Sequence, residues 1–419
     1  MTINYLPSLI QSYYSSSQGP FIYQSDDNDL RIEPFTNGLA QPTSMTFVDD
    51  DTILVLEKDT GMVRVVNNGT LEKNPALSVG VDPKAERGLL GIDILERDTG
   101  QTKIDNYVFI YFTEQTNQNS EKDSVRNRVY RYNWNGIDLF NPVLLLDLPG
   151  EPGPYHNGGK IKIGPDGQLY VVIGDLTSPS TILQNHVPDS HATPNNTSVI
   201  IRINPLDGSP SSNNPFKNQG QNDSAYNSNL DYYYAYGIRN SFGISFDPIT
   251  GSLWDTENGE DKFDETNLVK PGFNSGWSKI MGPLSRNKNF SENDLVMLNN
   301  SYYSDPKFSW FKPIGVTDLE FYNSTKLGDK FSNNVFIGDI NAGDLYFFRI
   351  NDNRSGVRID PPTSGHTDLS DSIADPQDDL SPTLFAKGFS GRITDVETGP
   401  DGYLYILTYS DGRIYRIVK

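Results

Sequence analysis

The segment Tyr155-His156-Asn157-Gly158-Gly159-Lys160-Ile161-Lys162-Ile163-Gly164-Pro165-Asp166-Gly167-Gln168-Leu169-Tyr170-Val171-Val172-Ile173-Gly174-Asp175 reads as strand, tight turn, strand. Pro165-Asp166-Gly167 supplies the turn, since Pro presets one turn dihedral and Gly accepts the positive φ that follows. Antiparallel strands joined there bring the loop holding His156 and the tail holding Asp175 to one end of the hairpin. A general base and a carboxylate able to orient it are then neighbours. The alternative for His156 is a plain surface or structural loop histidine.

The same unit recurs on both sides of this hairpin. Ser44–Glu57, Leu89–Leu95 with Tyr107–Thr113, Phe242–Asp255, Val316–Phe321 with Asn334–Asp339, and Ile393–Thr408 each show an alternating strand, a turn rich in Gly, Asp or Asn, and a second strand. Most copies are followed by a basic-aromatic strand such as Val129-Tyr130-Arg131-Tyr132 or Arg413-Ile414-Tyr415-Arg416-Ile417. Six copies predict an all-β protein, a six-bladed β-propeller over residues 31–419, with a pair of β-sandwiches as the alternative. Residues 1–30 lack a sustained apolar period and are expected to form an extended N-terminal arm. Long polar stretches at 114–127, 176–197, 209–232, 256–314 and 351–385 are expected to be loops on the top face, where sites gather.

Composition narrows the function. Among 419 residues, 36 Gly, 27 Pro and 23 Tyr suit short strands and many turns. A net charge of -20 argues against nucleic acid or an anionic membrane as partner. The absence of cysteine excludes disulfides, thiolate metal sites and a cysteine nucleophile. No apolar run approaches the roughly 18 residues of a membrane span. No basic-then-apolar leader opens the sequence, so the chain is expected to be cytosolic or to have had an export signal removed. Asn-X-Ser/Thr triplets at Asn68, Asn195, Asn196, Asn222, Asn289, Asn299, Asn323 and Asn353 favour an extracellular or cell-surface glycoprotein. His186 and His191 have no third ligand in view and carry no metal expectation; His366 is expected to be exposed. Serine-hydrolase, phosphate-loop and zincin motifs are absent.

The stretch Trp254-Asp255-Thr256-Glu257-Asn258-Gly259-Glu260-Asp261-Lys262-Phe263-Asp264-Glu265 concentrates oxygen donors around a glycine. Such a loop suits calcium, which takes six to eight oxygen ligands; a solvated acidic loop is the alternative.

Five pieces in order, Glu86-Arg87-Gly88-Leu89-Leu90-Gly91, His156-Asn157-Gly158-Gly159-Lys160, Gly237-Ile238-Arg239-Asn240, Asp264-Glu265-Thr266-Asn267-Leu268 with Gly276-Trp277, and Gly391-Arg392-Ile393-Thr394-Asp395-Val396, resemble the soluble quinoprotein glucose/sorbosone dehydrogenase family, its aldose sugar dehydrogenases in particular. The resemblance runs from about residue 31 to the C-terminus. It implies a propeller that binds pyrroloquinoline quinone (PQQ) and calcium on its top face. It implies His156 as the base that takes the sugar hydroxyl proton, and Asp175 as the carboxylate that holds it. Arg239, Asn240, Arg392, Lys160 and Glu86 fall at cofactor-binding positions. The Gly259 and Glu260 carbonyls match ligands of the calcium beside PQQ, and Glu265 with the Ser275 carbonyl matches a second calcium site.

Three positions differ from the family pattern. Glu86 stands where the dehydrogenases have glutamine, Asn341 lies where the glucose enzymes have lysine, and Thr394 replaces a second arginine. Each change makes the site more negative. An ionised Glu86 about 6 Å from a PQQ carboxylate would cost about 2.8 kcal/mol at an effective dielectric near 20. Pairing with Arg87, or protonation, would lower that cost.

The sequence therefore predicts PQQ- and calcium-dependent oxidation of a small-molecule sugar. The sugar, the electron acceptor and the oligomeric state cannot be read from it. Two other functions fit the same residues: a calcium-stabilised propeller that binds a glycan or surface partner without PQQ, and a calcium-dependent lactonase.

Overall fold

The computed structural model describes residues 19–23, 29–96, 106–116, 125–178, 195–218, 229–359 and 369–419. The strands of these residues fall into six sheets. In chain order their innermost strands are Pro42–Phe47, Leu89–Leu95, Ile161–Ile163, Ser241–Phe246, Val316–Phe321 and Ile393–Thr398. Each runs antiparallel to the strand that follows it. The Pro165-Asp166-Gly167 turn forms as expected, with Ile163 opposite Leu169 and the Gly167 N–H donating to the Gly164 carbonyl at 2.8 Å.

The apolar faces explain why these sheets form a ring. Six buried clusters each combine side chains from two consecutive sheets, and one of them, with Met45 and Val55 against Leu407 and Ile414, joins the sixth sheet to the first. Every sheet is covered on both faces, which is why strands such as Leu169–Ile173 and Val199–Ile203 are continuously apolar. The chain is an all-β propeller. Aromatics fill the wider gaps; Phe336 meets both Phe347 and Phe385 with ring centroids 5.0 Å apart. Such pairs each add about 0.5–1.5 kcal/mol beyond their burial.

Arg31–Thr36 completes the sixth sheet by pairing with the C-terminal strand Arg413–Val418, which ties the two ends of the ring together. Within the expected extended N-terminal arm, Phe21–Ile22 pairs as an edge strand with Leu384–Lys387. The stretch 256–314, expected as one loop, holds Asp264–Val269, Phe273–Asn274, Tyr302–Tyr303 and Phe308–Trp310 as strands. Asp264–Val269 looked like loop because it is polar, yet all six of its residues are buried.

Candidate active site

Five innermost strands slip register near their first residues: between Pro42 and Met45, Leu89 and Gly91, Ser241 and Gly243, Val316 and Leu319, and Ile393 and Asp395. A residue left out of the ladder by a bulge can turn its side chain off the sheet. Thr43, Leu90, Phe242, Thr317 and Thr394, one from each slip, line a single cavity of about 320 Å³, and the third sheet adds Gly158 and Lys160. All six sheets thus meet at this cavity, on the ring's axis. Its volume lies at the small end of small-molecule sites.

His156 stands beside this cavity, two residues before the lining residue Gly158 and bonded through its N–H to the lining residue Glu86, with left-handed backbone (φ 60°). Its Nδ1 lies 2.6 Å from Asp175 Oδ1, the pairing expected from the hairpin. Asp175 is buried, and among the described residues two further donors meet it: the Thr177 N–H reaches Oδ1 at 2.7 Å and the Trp277 indole N–H reaches Oδ2 at 2.8 Å. A carboxylate facing Nδ1 holds the proton of the imidazole on that nitrogen, which leaves Nε2 as an acceptor. Gly174 makes the arrangement possible. A Cβ there would lie 2.5 Å from the His156 carbonyl, 2.6 Å from the Arg239 carbonyl and 2.9 Å from Asn240 Oδ1.

Arg239 and Asn240 therefore pack directly against the histidine loop. Asn240 Oδ1 accepts the Gly158 N–H at 3.1 Å, and Arg239 Nη1 donates to the Asn258 carbonyl at 2.9 Å. Arg239 lies over the Trp277 ring, 5.3 Å from its centroid, and its buried Nε has no hydrogen-bond partner among the described residues. Arg392 lines the axial cavity with an exposed side chain that forms no hydrogen bond or ion pair among the described residues. These two guanidinium groups have donors to spare for an anion.

Glu86 also lines the cavity. Its Oε2 accepts the His156 N–H at 2.7 Å and the Asn240 amide at 3.2 Å, so the carboxylate bridges the two loops. Among the described residues Glu86 does not pair with Arg87. Arg87 turns to Asp82 (2.8 Å) and Glu151 (3.1 Å) and donates to the Gly150 carbonyl, because the Glu86 side chain is held on the other side by the histidine loop. Lys160 also lines the cavity, with its ammonium engaged by Asp395 at 2.6 Å and Asp318 at 2.9 Å. These carboxylates hold it above the ordinary lysine range despite burial. Thr394 donates to the Pro42 carbonyl at 3.0 Å and brings no charge.

The metal expectation divides in two. Gly259 and Glu260 follow the strand Leu253–Glu257 and are fixed beside Arg239 and Asn240: the Asn258 N–H donates to the Asn240 carbonyl, and Asp264 accepts the Gly259 N–H at 3.0 Å. The Glu260 side chain is exposed, facing a separate cleft of about 680 Å³ that Trp277 and Phe311 also line. Glu265 and Ser275 meet elsewhere, through Glu257. Glu257 pairs with Glu265 across two strands, and its Oε2 accepts the Ser275 hydroxyl at 2.6 Å. With Asp255 they form a nest of buried carboxylates, none of them in an ion pair among the described residues. Burial pushes Asp255 up to about 7 and Glu265 up to about 8, and burial with repulsion from Glu265 and Asp255 raises Glu257 well above the carboxylate range. Among the described residues Asp255 Oδ1 has no hydrogen-bond partner. Such a donor set fits a hard divalent cation such as calcium.

No individual role was legible in the sequence for Trp277 or Glu257, nor for the bulge residues Thr43, Leu90, Phe242 and Thr317. A recurring signal did exist for the last group: Leu90-Gly91-Ile92, Phe242-Gly243-Ile244, Thr317-Asp318-Leu319 and Thr394-Asp395-Val396 share a cavity residue, a small or acidic residue and an apolar one. His186, His191, His366 and Asn222 lie outside the described residues. Among the described residues no helix is long and apolar enough to cross a membrane.

Comparison with known proteins follows the same lines. The family model described as Glucose / Sorbosone dehydrogenase matches residues 39–416. Aldose sugar dehydrogenase YliI of Escherichia coli is 26% identical over 93% of this chain and 92% of its own. Quinoprotein glucose dehydrogenase B of Acinetobacter calcoaceticus is 27% identical over 62% of this chain and 54% of its own. The PQQ-bound aldose sugar dehydrogenase of Streptomyces coelicolor superposes with a TM-score of 0.64 at 23% identity, covering 93% of this chain and 98% of that one; this likeness is one of fold.

Proposed function

The chain belongs to the glucose/sorbosone dehydrogenase family, and on that premise we propose that it oxidises an aldose sugar to the lactone with PQQ as cofactor and calcium as metal. The observation that carries the reading is the His156–Asp175 pair set beside a six-walled axial cavity that also presents Arg392. The six sheets are read as six blades, residues 31–419 as one propeller, and the cavity as its top-face site.

In this reading His156 Nε2 accepts the proton of the sugar's anomeric hydroxyl while the hydrogen on the anomeric carbon leaves as hydride. PQQ, when bound, supplies the hydride acceptor, and the products are a lactone and a protonated histidine. Asp175 keeps the proton on Nδ1 and stabilises the imidazolium that forms; Thr177 and Trp277 hold Asp175 in place. Arg239, Asn240 and Arg392 would hold the carboxylates of the cofactor. The backbone carbonyls of Gly259 and Glu260 would hold one calcium, and Glu265, Glu257 and Ser275 a second, structural one. Glu86 is the unusual member, placing a carboxylate where an anion must bind. The exposed triplet residues Asn68, Asn289, Asn299, Asn323 and Asn353 support an extracellular setting for this chemistry.

Reconstitution with PQQ and calcium, followed by dye reduction on adding aldoses, tests the reading. Reduction by wild type that disappears in His156→Ala supports it. Wild-type protein that binds PQQ but reduces no dye with any aldose overturns it.

A further inference from the structure

The cavity needs more positive charge than the sequence motifs supply. Asn341 and Thr394 are neutral, Lys160 is engaged by two carboxylates, and Glu86 is negative. One further cation lines the same cavity: Lys58, from the first sheet, just past the end of the strand Thr52–Glu57. Its ammonium lies 2.5 Å from Asp59 Oδ1 and 3.3 Å from the Pro83 carbonyl. An ammonium has three N–H donors, and these two contacts leave one for the cavity. The side chain is buried and therefore held in one place. Gly88 makes its path: at φ 139° it passes so close that a Cβ would lie 2.7 Å from Lys58 Cγ and 2.5 Å from the Lys58 carbonyl. That glycine follows directly on Glu86-Arg87, so one tight turn places both the opposing carboxylate and the room for the lysine.

We infer that Lys58 is an anion-binding residue of the axial site, donating to a carboxylate of the polyanionic cofactor and offsetting Glu86 and the cations absent at 341 and 394. The inference rests on the proposed use of PQQ. It adds a binding contact from a sheet that the recognised motifs do not reach.

Titration of the purified chain with PQQ in the presence of calcium, followed by quenching of tryptophan fluorescence at low and moderate salt, tests it. Lys58→Gln should weaken PQQ binding by about 10- to 100-fold, the loss of one charge-assisted hydrogen bond. It should also flatten the salt dependence, because one ionic contact is gone. Lys58→Arg should stay within about threefold of wild type, and Asp59→Asn, which frees the ammonium from its competing carboxylate, should bind PQQ more tightly. Asp59→Asn also serves if Lys58→Gln fails to fold. Wild-type affinity and salt dependence in Lys58→Gln, or no tightening in Asp59→Asn, would overturn the assignment and leave the proposed function standing. Wild-type protein that does not bind PQQ at millimolar concentration would overturn both.

Discussion

Replacing Asp175 with Asn probes the pair at the centre of the mechanism. Among the described residues the carboxylate receives His156 Nδ1–H at 2.6 Å, Thr177 N–H at 2.7 Å and Trp277 Nε1–H at 2.8 Å. An amide has one oxygen, so either orientation sets its NH2 against a donor. With the oxygen toward His156 and Thr177, the indole N–H faces an N–H. With the oxygen toward Trp277, the amide donates to Nδ1 and drives the histidine proton to Nε2, which removes the base. In both cases the imidazolium formed during proton abstraction loses an ionised partner. At 2.6 Å and an effective dielectric near 20, that attraction is about 6 kcal/mol as an upper bound. The amide dipole keeps part of it, so kcat should fall by about 10³- to 10⁴-fold, the scale seen when a catalytic histidine loses its carboxylate. Asp175 does not line the axial cavity, so PQQ affinity should change by less than about threefold. Steady-state dye reduction and a PQQ titration on the same preparation separate the two effects. A kcat within tenfold of wild type, with cofactor bound normally, would refute the base-and-orienter account.

Other outcomes follow from particular contacts. Glu86→Gln keeps an acceptor for the His156 N–H and the Asn240 amide but removes the charge; PQQ should bind about a hundredfold more tightly, from the roughly 2.8 kcal/mol repulsion, as measured by fluorescence titration. Chelation of divalent cations should lower the thermal midpoint, and calcium at a hundred times its dissociation constant should restore about 2.7 kcal/mol, with Glu257→Gln weakening that response. Asp339 is buried, which pushes it up to about 7, against about 4 in an unfolded chain, so the folded state holds its proton more tightly. Its contribution is complete below pH ~4 and is lost as pH rises through about 7. Asp339→Asn, which retains an acceptor for the Ala342 and Gly343 N–H groups, should flatten the decline of denaturation midpoint between pH 5 and 8.

The parts of the fold that depend on local pattern were legible. Alternating strands and Gly-Asp turns announce the hairpins, and the length of one hairpin sets His156 against Asp175. What depends on register was not. A bulge changes which face a residue points to without changing its identity, so Thr43, Phe242 and Thr317 read as ordinary strand residues although they line the cavity. Polarity misled in Asp264–Val269, which reads as loop although it is a fully buried strand; the fitness of its carboxylates for a cation was legible. Trp277 lies 102 residues from its partner Asp175, and only folding brings the indole to the carboxylate. The charge partners of the site were also beyond reach: Arg87 pairing with Asp82 instead of Glu86, and Lys160 bound to Asp318 and Asp395, are settled by where neighbouring sheets place their side chains.

A crystal structure of the chain with PQQ and calcium tests the central claim most directly. The account predicts flat tricyclic density in the axial cavity, with a carboxylate against Arg392 and with His156 Nε2 facing open space for a sugar above the ring. Density bound elsewhere on the propeller, or a cavity closed by Glu86 with His156 turned away from it, would contradict the account.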